Sequence, residues 1–223
     1  MRKTTLALCG LAAAVLAAAS AHAQQPLKIG VILPYSGQFA DGATQMDNAI
    51  KLYVQQHGDA IAGRKIEIIR RDTGGVAPDV AKRLAQELVV RDNVDILAGF
   101  LLTPNAMSAA AVSDEAKKFM VVMNAATAII TTKSPYMVRT SLTIPQTTEV
   151  FAAWAYKSGI KKAYTMVSDY GPGHDAEESF QRAFKEAGGE IVGSVRFPVN
   201  IPDFAPYLQR AKDANPEAIF LFV

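Results

Sequence analysis

Short, nearly continuous apolar runs separated by amphipathic stretches recur from residue 28 to the last residue, and this alternation fixes the fold class. A run such as Lys28–Pro34 (KIGVILP) has almost no polar face, so it suits a strand buried on both sides. The segments between are helix-spaced. Ala43–His57 places Met46, Ile50, Tyr53 and Val54 along one stripe, and Pro78–Arg91 does the same with Val80, Leu84 and Leu88 behind a proline suited to the first turn. Further predicted strands cover Arg64–Arg71, Asp95–Ala98, Phe119–Met123 and Tyr136–Thr140, with a helix over Asn105–Lys118. Ser141–Pro145 is irregular, and then the alternation restarts. Helices are expected over Thr147–Ser158, Asp175–Ala187 (closed by Gly188-Gly189) and Phe204–Ala214, and strands over Lys162–Ser168, Glu190–Arg196 and Glu217–Val223. Such an order predicts an α/β fold whose parallel sheets are covered on both faces. The second α/β unit has about three strands against five in the first, and EAIFLFV ends the sequence without a covering helix. The chain is therefore expected to be a fragment of a longer protein, lacking its C-terminal part.

The first 23 residues read differently. Arg2 and Lys3 precede an uncharged run of about 14 residues, Leu6–Ala19, and Ser20-Ala21-His22-Ala23 offers the small residues that signal peptidase accepts. The run is shorter than the roughly 20 residues a spanning helix needs. Residues 1–23 are expected to be a cleaved signal peptide, which places the mature chain in the periplasm. Cys9 lies inside the apolar run rather than at its end, against a lipoprotein attachment site.

Without the leader, 21 basic side chains face 21 acidic ones. That balance argues against nucleic acid or an anionic membrane as partner, since both need clustered positive charge. The sole cysteine leaves with the leader, excluding disulfides, thiol chemistry and cysteine metal sites from the remainder. Stability must come from apolar cores.

The loops between these elements carry a resemblance. Pro34-Tyr35-Ser36-Gly37 ends the first strand, and Gly42 opens a helix. Gly63-Arg64-Lys65 leads into a strand ending at Asp72, and Val94-Asp95-Ile96-Leu97-Ala98-Gly99 precedes a short loop. Asn124-Ala125-Ala126-Thr127 follows the fourth strand, and Ser168-Asp169-Tyr170-Gly171 the first strand of the second unit. In this order the motifs resemble the periplasmic solute-binding proteins of ABC transporters, in the branch that binds leucine, isoleucine, valine and related amino acids or small organic acids. The resemblance covers residues 26–223. It implies two doubly wound lobes, about 24–142 and 143–223 (the second incomplete), with ligand held in the cleft between them. It also implies membrane permease subunits as partners and a monomeric chain. A ligand-sensing receptor or regulator on the same fold is the alternative.

Candidate ligand-binding residues follow from the same loops. In Gly99–Asn105, Thr103 is an apt N-cap and Pro104 an apt first helical residue. The helix start, with its unpaired N–H groups, could hold an anion at the carboxyl edge of a parallel sheet, although an ordinary capped helix accounts for the same residues. The resemblance implies that Leu102 and Thr103 meet a ligand carboxylate, where the family usually has serine. It also implies that an alanine carbonyl of Ala125-Ala126 and the Thr127 hydroxyl contact an amino group; a plain polar turn is the other reading. Tyr170 could close over the ligand from the second lobe or could be a surface tyrosine at a glycine-rich turn. Tyr35 and Phe39 are candidate cleft-wall residues, and Asp72 a turn residue.

Signals for catalysis are lacking. There is no G-x-S-x-G elbow, no P-loop and no dinucleotide pattern. His57 and His174 are far apart, and no histidine–carboxylate spacing suits zinc. The chain is expected not to be an enzyme, and to need neither metal nor cofactor.

Overall fold

The computed structural model describes residues 25–201 and 203–223, so the expected signal peptide lies outside the described residues. The first half contains β1 (Leu27–Leu33), α1 (Ala40–His57), β2 (Ala60–Ile61), β3 (Arg64–Asp72), α2 (Pro78–Val90), β4 (Ile96–Gly99), α3 (Thr103–Ala116), β5 (Phe119–Val122), a 3-10 turn at Ala128–Thr132 and β6 (Met137–Arg139). The strands form one sheet in the order β2-β3-β1-β4-β5-β6. All pairings are parallel except the two-residue β2, which runs antiparallel to β3.

Strand β1 shows why its sequence is apolar throughout. Ile32 points into a core shared with Leu84, Leu88, Leu97 and Ala106, under α2 and α3. Its neighbours Val31 and Leu33 point the other way, against Ala43 and Met46 of α1. Both faces are therefore covered. Each fully buried large side chain contributes about 1.5–3 kcal/mol of transfer free energy.

The second half contains α4 (Ile144–Lys157), β7 (Lys162–Ser168), α5 (Gly171–Glu186), β8 (Glu190–Phe197), α6 (Ala205–Asp213) and β9 (Ala218–Phe222). Its strands form a parallel three-stranded sheet in the order β8-β7-β9. The core lies between this sheet and the α4–α5 pair, where Phe180 stacks on Phe220 with ring centroids 4.2 Å apart. Buried charge is paired here. Glu177 accepts from Arg196 Nε at 2.7 Å and from Thr165 Oγ1 at 3.1 Å.

Several element starts differ from the sequence expectation. Helix α4 begins at Ile144, inside the stretch expected to be irregular, because Thr143 and Gln146 form a reciprocal capping box. Helix α5 begins at Gly171 rather than Asp175. Pro172 suits a first turn, and Gly173 lacks the Cβ that would overlap the Ser168 carbonyl oxygen. Helix α1 opens at Ala40, three residues early. The short β2 and the 3-10 turn carry no periodic signal in the sequence.

Candidate functional site

The carboxyl ends of β1, β4 and β5 deliver three loops to one edge of the first sheet, and β7 and β9 deliver Tyr170 and Phe222 from the second. A cleft of about 680 Å³ lies between them. Of the expected site residues, Phe39, Leu102, Thr103, Ala126 and Tyr170 all line it.

The β4–α3 loop owes its course to Gly99. Its φ of +107° and its contact with the Ile32 carbonyl exclude a side chain. Phe100 follows at φ +63°, a costly conformation held by burial of its ring and by its N–H donating to Ile32 C=O at 2.8 Å. The loop is then stitched to the one after β5. Met123 N–H donates to Gly99 C=O (2.7 Å), Ala125 N–H to Phe100 C=O (3.0 Å) and Asn124 Nδ2 to Leu101 C=O (3.1 Å).

At the head of α3 the structure corrects the capping assignment. Leu102, extended at φ −110° and ψ 135°, is the N-cap; Thr103 and Pro104 are the first two helical residues. Thr103 does not cap because its hydroxyl is turned to the Thr127 hydroxyl, 2.9 Å away, and both side chains are buried. The pair uses one of its two protons, so one O–H remains to donate. Intrahelical pairing starts with Ala106 N–H on Leu102 C=O at 3.1 Å. The amides of Thr103 and Asn105 therefore have no acceptor within the helix, and Pro104 has no N–H to offer. Buried hydroxyl and amide donors at the positive end of a helix suit a carboxylate.

Other expected residues are placed less directly. Ala125 is buried in the core behind the cleft. The Ala126 carbonyl already accepts from Ile144 N–H at 2.9 Å, and the Thr127 carbonyl from Arg139 Nη1 at 2.7 Å. Tyr35 does not line the cleft. Its hydroxyl faces Asp47 of α1 at 3.4 Å, beside the Asp47–Arg70 pair. Burial, with the Asp47 carboxylate next, pushes its phenol up to about 12. Asp72 closes the turn as expected, accepting from Ser36 Oγ at 2.6 Å and Gly74 N–H at 2.8 Å.

Half-buried Tyr170 faces the cleft as the N-cap of α5, and burial pushes its phenol upward. Its neighbour Asp175 crosses to the first half, accepting from Ala128 N–H at 2.9 Å. Arg139 lies near this contact; desolvation lowers its pKa, opposed by the Asp175 charge. Sequence reasoning missed Gln38, Asn124, Leu142, Thr143 and Phe222 as lining residues. Only Thr143 had a readable signal, the T-x-x-Q capping pattern.

Comparison with known proteins agrees with this architecture. Residues 26–223 match the family described as periplasmic binding protein. The chain is 45% identical over 218 residues to Leu/Ile/Val-binding protein homolog 6 of Brucella abortus (strain 2308), covering 98% of this chain and 56% of that protein. A solute-binding protein of an ABC transporter from Rhodopseudomonas palustris BisB5, solved with 3,4-dihydroxybenzoic acid, is 51% identical with a TM-score of 0.85, over 89% of this chain and 54% of the other. A second R. palustris solute-binding protein, solved with 4-hydroxybenzoate, is 44% identical with a TM-score of 0.87, over 90% and 54%. The chain thus spans about half the length of the relatives it matches.

Proposed function

The chain belongs to the periplasmic binding protein family, and on that premise we propose that it is part of an exported solute-binding protein that hands a small carboxylic acid to an ABC importer. Its lobes, about 24–142 and 143–223, hold the ligand between their sheet edges. The observation that carries this reading is the buried Thr103–Thr127 hydroxyl pair at the head of α3, where Thr103 lines the cleft together with Tyr170 of the other half, while Thr127 lies behind Thr103. The carboxylate accepts from the free O–H and the first-turn amides. Charge-assisted bonds of this kind are worth about 1.5–3 kcal/mol each, and a few of them with cleft desolvation reach the −8 kcal/mol or so of a micromolar complex.

An aromatic acid is the favoured ligand class. Phe39, Tyr170 and Phe222 supply flat apolar walls, and no acidic side chain is among the described lining residues to receive an ammonium group. The R. palustris neighbours solved with hydroxybenzoates support this. A branched-chain amino acid is the second reading, favoured by the name of the Brucella relative. Binding proceeds by docking on the first lobe and closure of the second, and the closed form engages the permease as a monomer. Calorimetry of the full-length protein with 4-hydroxybenzoate and with leucine tests the assignment. Tight 4-hydroxybenzoate binding with leucine silent is expected, and the reverse would overturn the aromatic class.

A further inference from the structure

Beside the main cleft lies a second cavity of about 330 Å³, and the two share Gln38 and Phe39 as a common wall. Its floor is the loop Thr73–Ala77, from the first lobe, and its far side is Asn200, from the loop after β8 in the second. The chemistry of this chamber differs from that of the anion end. Its lining holds no ionisable side chain among the described residues; its polar groups are the amides of Gln38 and Asn200 and the loop backbone. Gly74 and Gly75 have φ of +69° and +148°, and a Cβ built on Gly75 meets nothing within 4 Å, so the backbone there is open to close approach.

The loop is held in fixed register with the anion end. Asn105, 2% exposed and two residues after Thr103 in the same helical turn, accepts from Ala77 N–H at 2.9 Å. Its Nδ2 donates to Gly75 C=O at 2.9 Å and to Thr73 Oγ1 at 3.2 Å. One buried side chain thus ties the chamber floor to the turn that receives the carboxylate.

We infer that this chamber is a second subsite, taking the neutral, hydrogen-bonding tail of an elongated aromatic acid whose carboxylate is anchored at Thr103 and Thr127, with Asn200 reading the tail. The inference rests on the carboxylate reading above and adds to it a length preference. A ligand spanning both chambers passes the Gln38–Phe39 wall and touches both lobes at two separated points, whereas a benzoate-sized acid fills only the main cleft. Asn200 is therefore a specificity residue for long ligands and silent for short ones.

Calorimetry with 4-hydroxybenzoate and 4-hydroxycinnamate on full-length wild type, Asn200→Ala and Val76→Trp proteins is the test. Both substituted positions are exposed, so neither change threatens the core. Loss of one hydrogen bond in Asn200→Ala is expected to weaken 4-hydroxycinnamate about tenfold, and the indole in Val76→Trp to weaken it more by occupying the chamber. Affinity for 4-hydroxybenzoate should stay within about twofold in both. If wild type binds both acids and the substitutions shift neither, or shift both alike, the second subsite is wrong while the carboxylate reading stands. If wild type binds neither acid, the aromatic reading fails and the subsite falls with it.

Discussion

Thr103 and Thr127, 24 positions apart in the chain, bring their hydroxyl oxygens to 2.9 Å at the head of α3. Adjacent parallel strands β4 and β5 make this meeting possible, since each hydroxyl sits just past the carboxyl end of its strand. Thr127→Ala and Thr103→Val are each expected to weaken ligand binding about tenfold, the value of one hydrogen bond. Because the hydroxyls act as a unit, the double variant should lose much less than the product of the two. Calorimetry on the full-length protein decides; unchanged affinity in either variant removes that hydroxyl from the site.

Gly173 allows α5 to start against the end of β7, and so sets where Tyr170 stands. Gly173→Ala must push the helix off the Ser168 carbonyl, at an overpacking cost of about 1–3 kcal/mol. A lowered melting temperature together with weaker ligand binding is expected. Normal melting with normal affinity would show that the helix start is not constrained as described.

Tyr35→Phe separates a wall role from a scaffold role. The Tyr35 hydroxyl faces Asp47 and its phenol is pushed up to about 12 by burial. The variant should bind ligand within about twofold of wild type, for it removes only a scaffold contact about the size of one weak hydrogen bond. It should also remove one late-titrating phenol from an ultraviolet pH titration. A large affinity loss would return Tyr35 to the cleft.

Stability should fall in acid. The Lys28 amide and then Arg64 hold the Asp95 carboxyl below its ordinary value, and at Asp72 the bonds from Ser36 and Gly74 outweigh the upward push of burial. Both folded pKa values lie below the unfolded value near about 3.9, so the stabilisation is complete above that pH and is lost as pH falls through the folded values. Thermal unfolding midpoints should hold between pH 7 and 5 and drop below about pH 4, less steeply in Asp95→Asn. A flat profile down to pH 3 would contradict the assignment.

Asp175 of α5 reaches across to Ala128 N–H, one of the polar contacts between the two halves. If the two halves close over ligand as proposed, Asp175→Ala should lower the population of the closed form and weaken ligand binding by about tenfold or less. Small-angle scattering with saturating ligand should then report a more open particle; an unchanged profile and affinity would leave the contact without a role in closure.

Much of this architecture was legible because a strand buried on both faces must be apolar at every position, as Val31, Ile32 and Leu33 are. What misled was local. Gly171 and Gly173 read as a loop, yet they begin α5, since packing against β7 demands the missing side chain. The direction of Tyr35 depends on Asp47 and Arg70, partners brought close only by tertiary packing. Phe222 and Gln38 have no local signature, because lining a cleft is a property of how two sheet edges face each other.

The buried hydroxyl pair stands in the first half of the chain, while Tyr170, Pro172 and Phe222 come from the second. If ligand is held between the two halves as proposed, this division separates two rate constants. Under the proposed closure, capture speed would depend on how freely an open jaw admits a solute to α3, and residence time on how long the aromatic side stays shut. On the proposed reading, substitutions at Tyr170 are therefore expected to act on escape far more than on encounter.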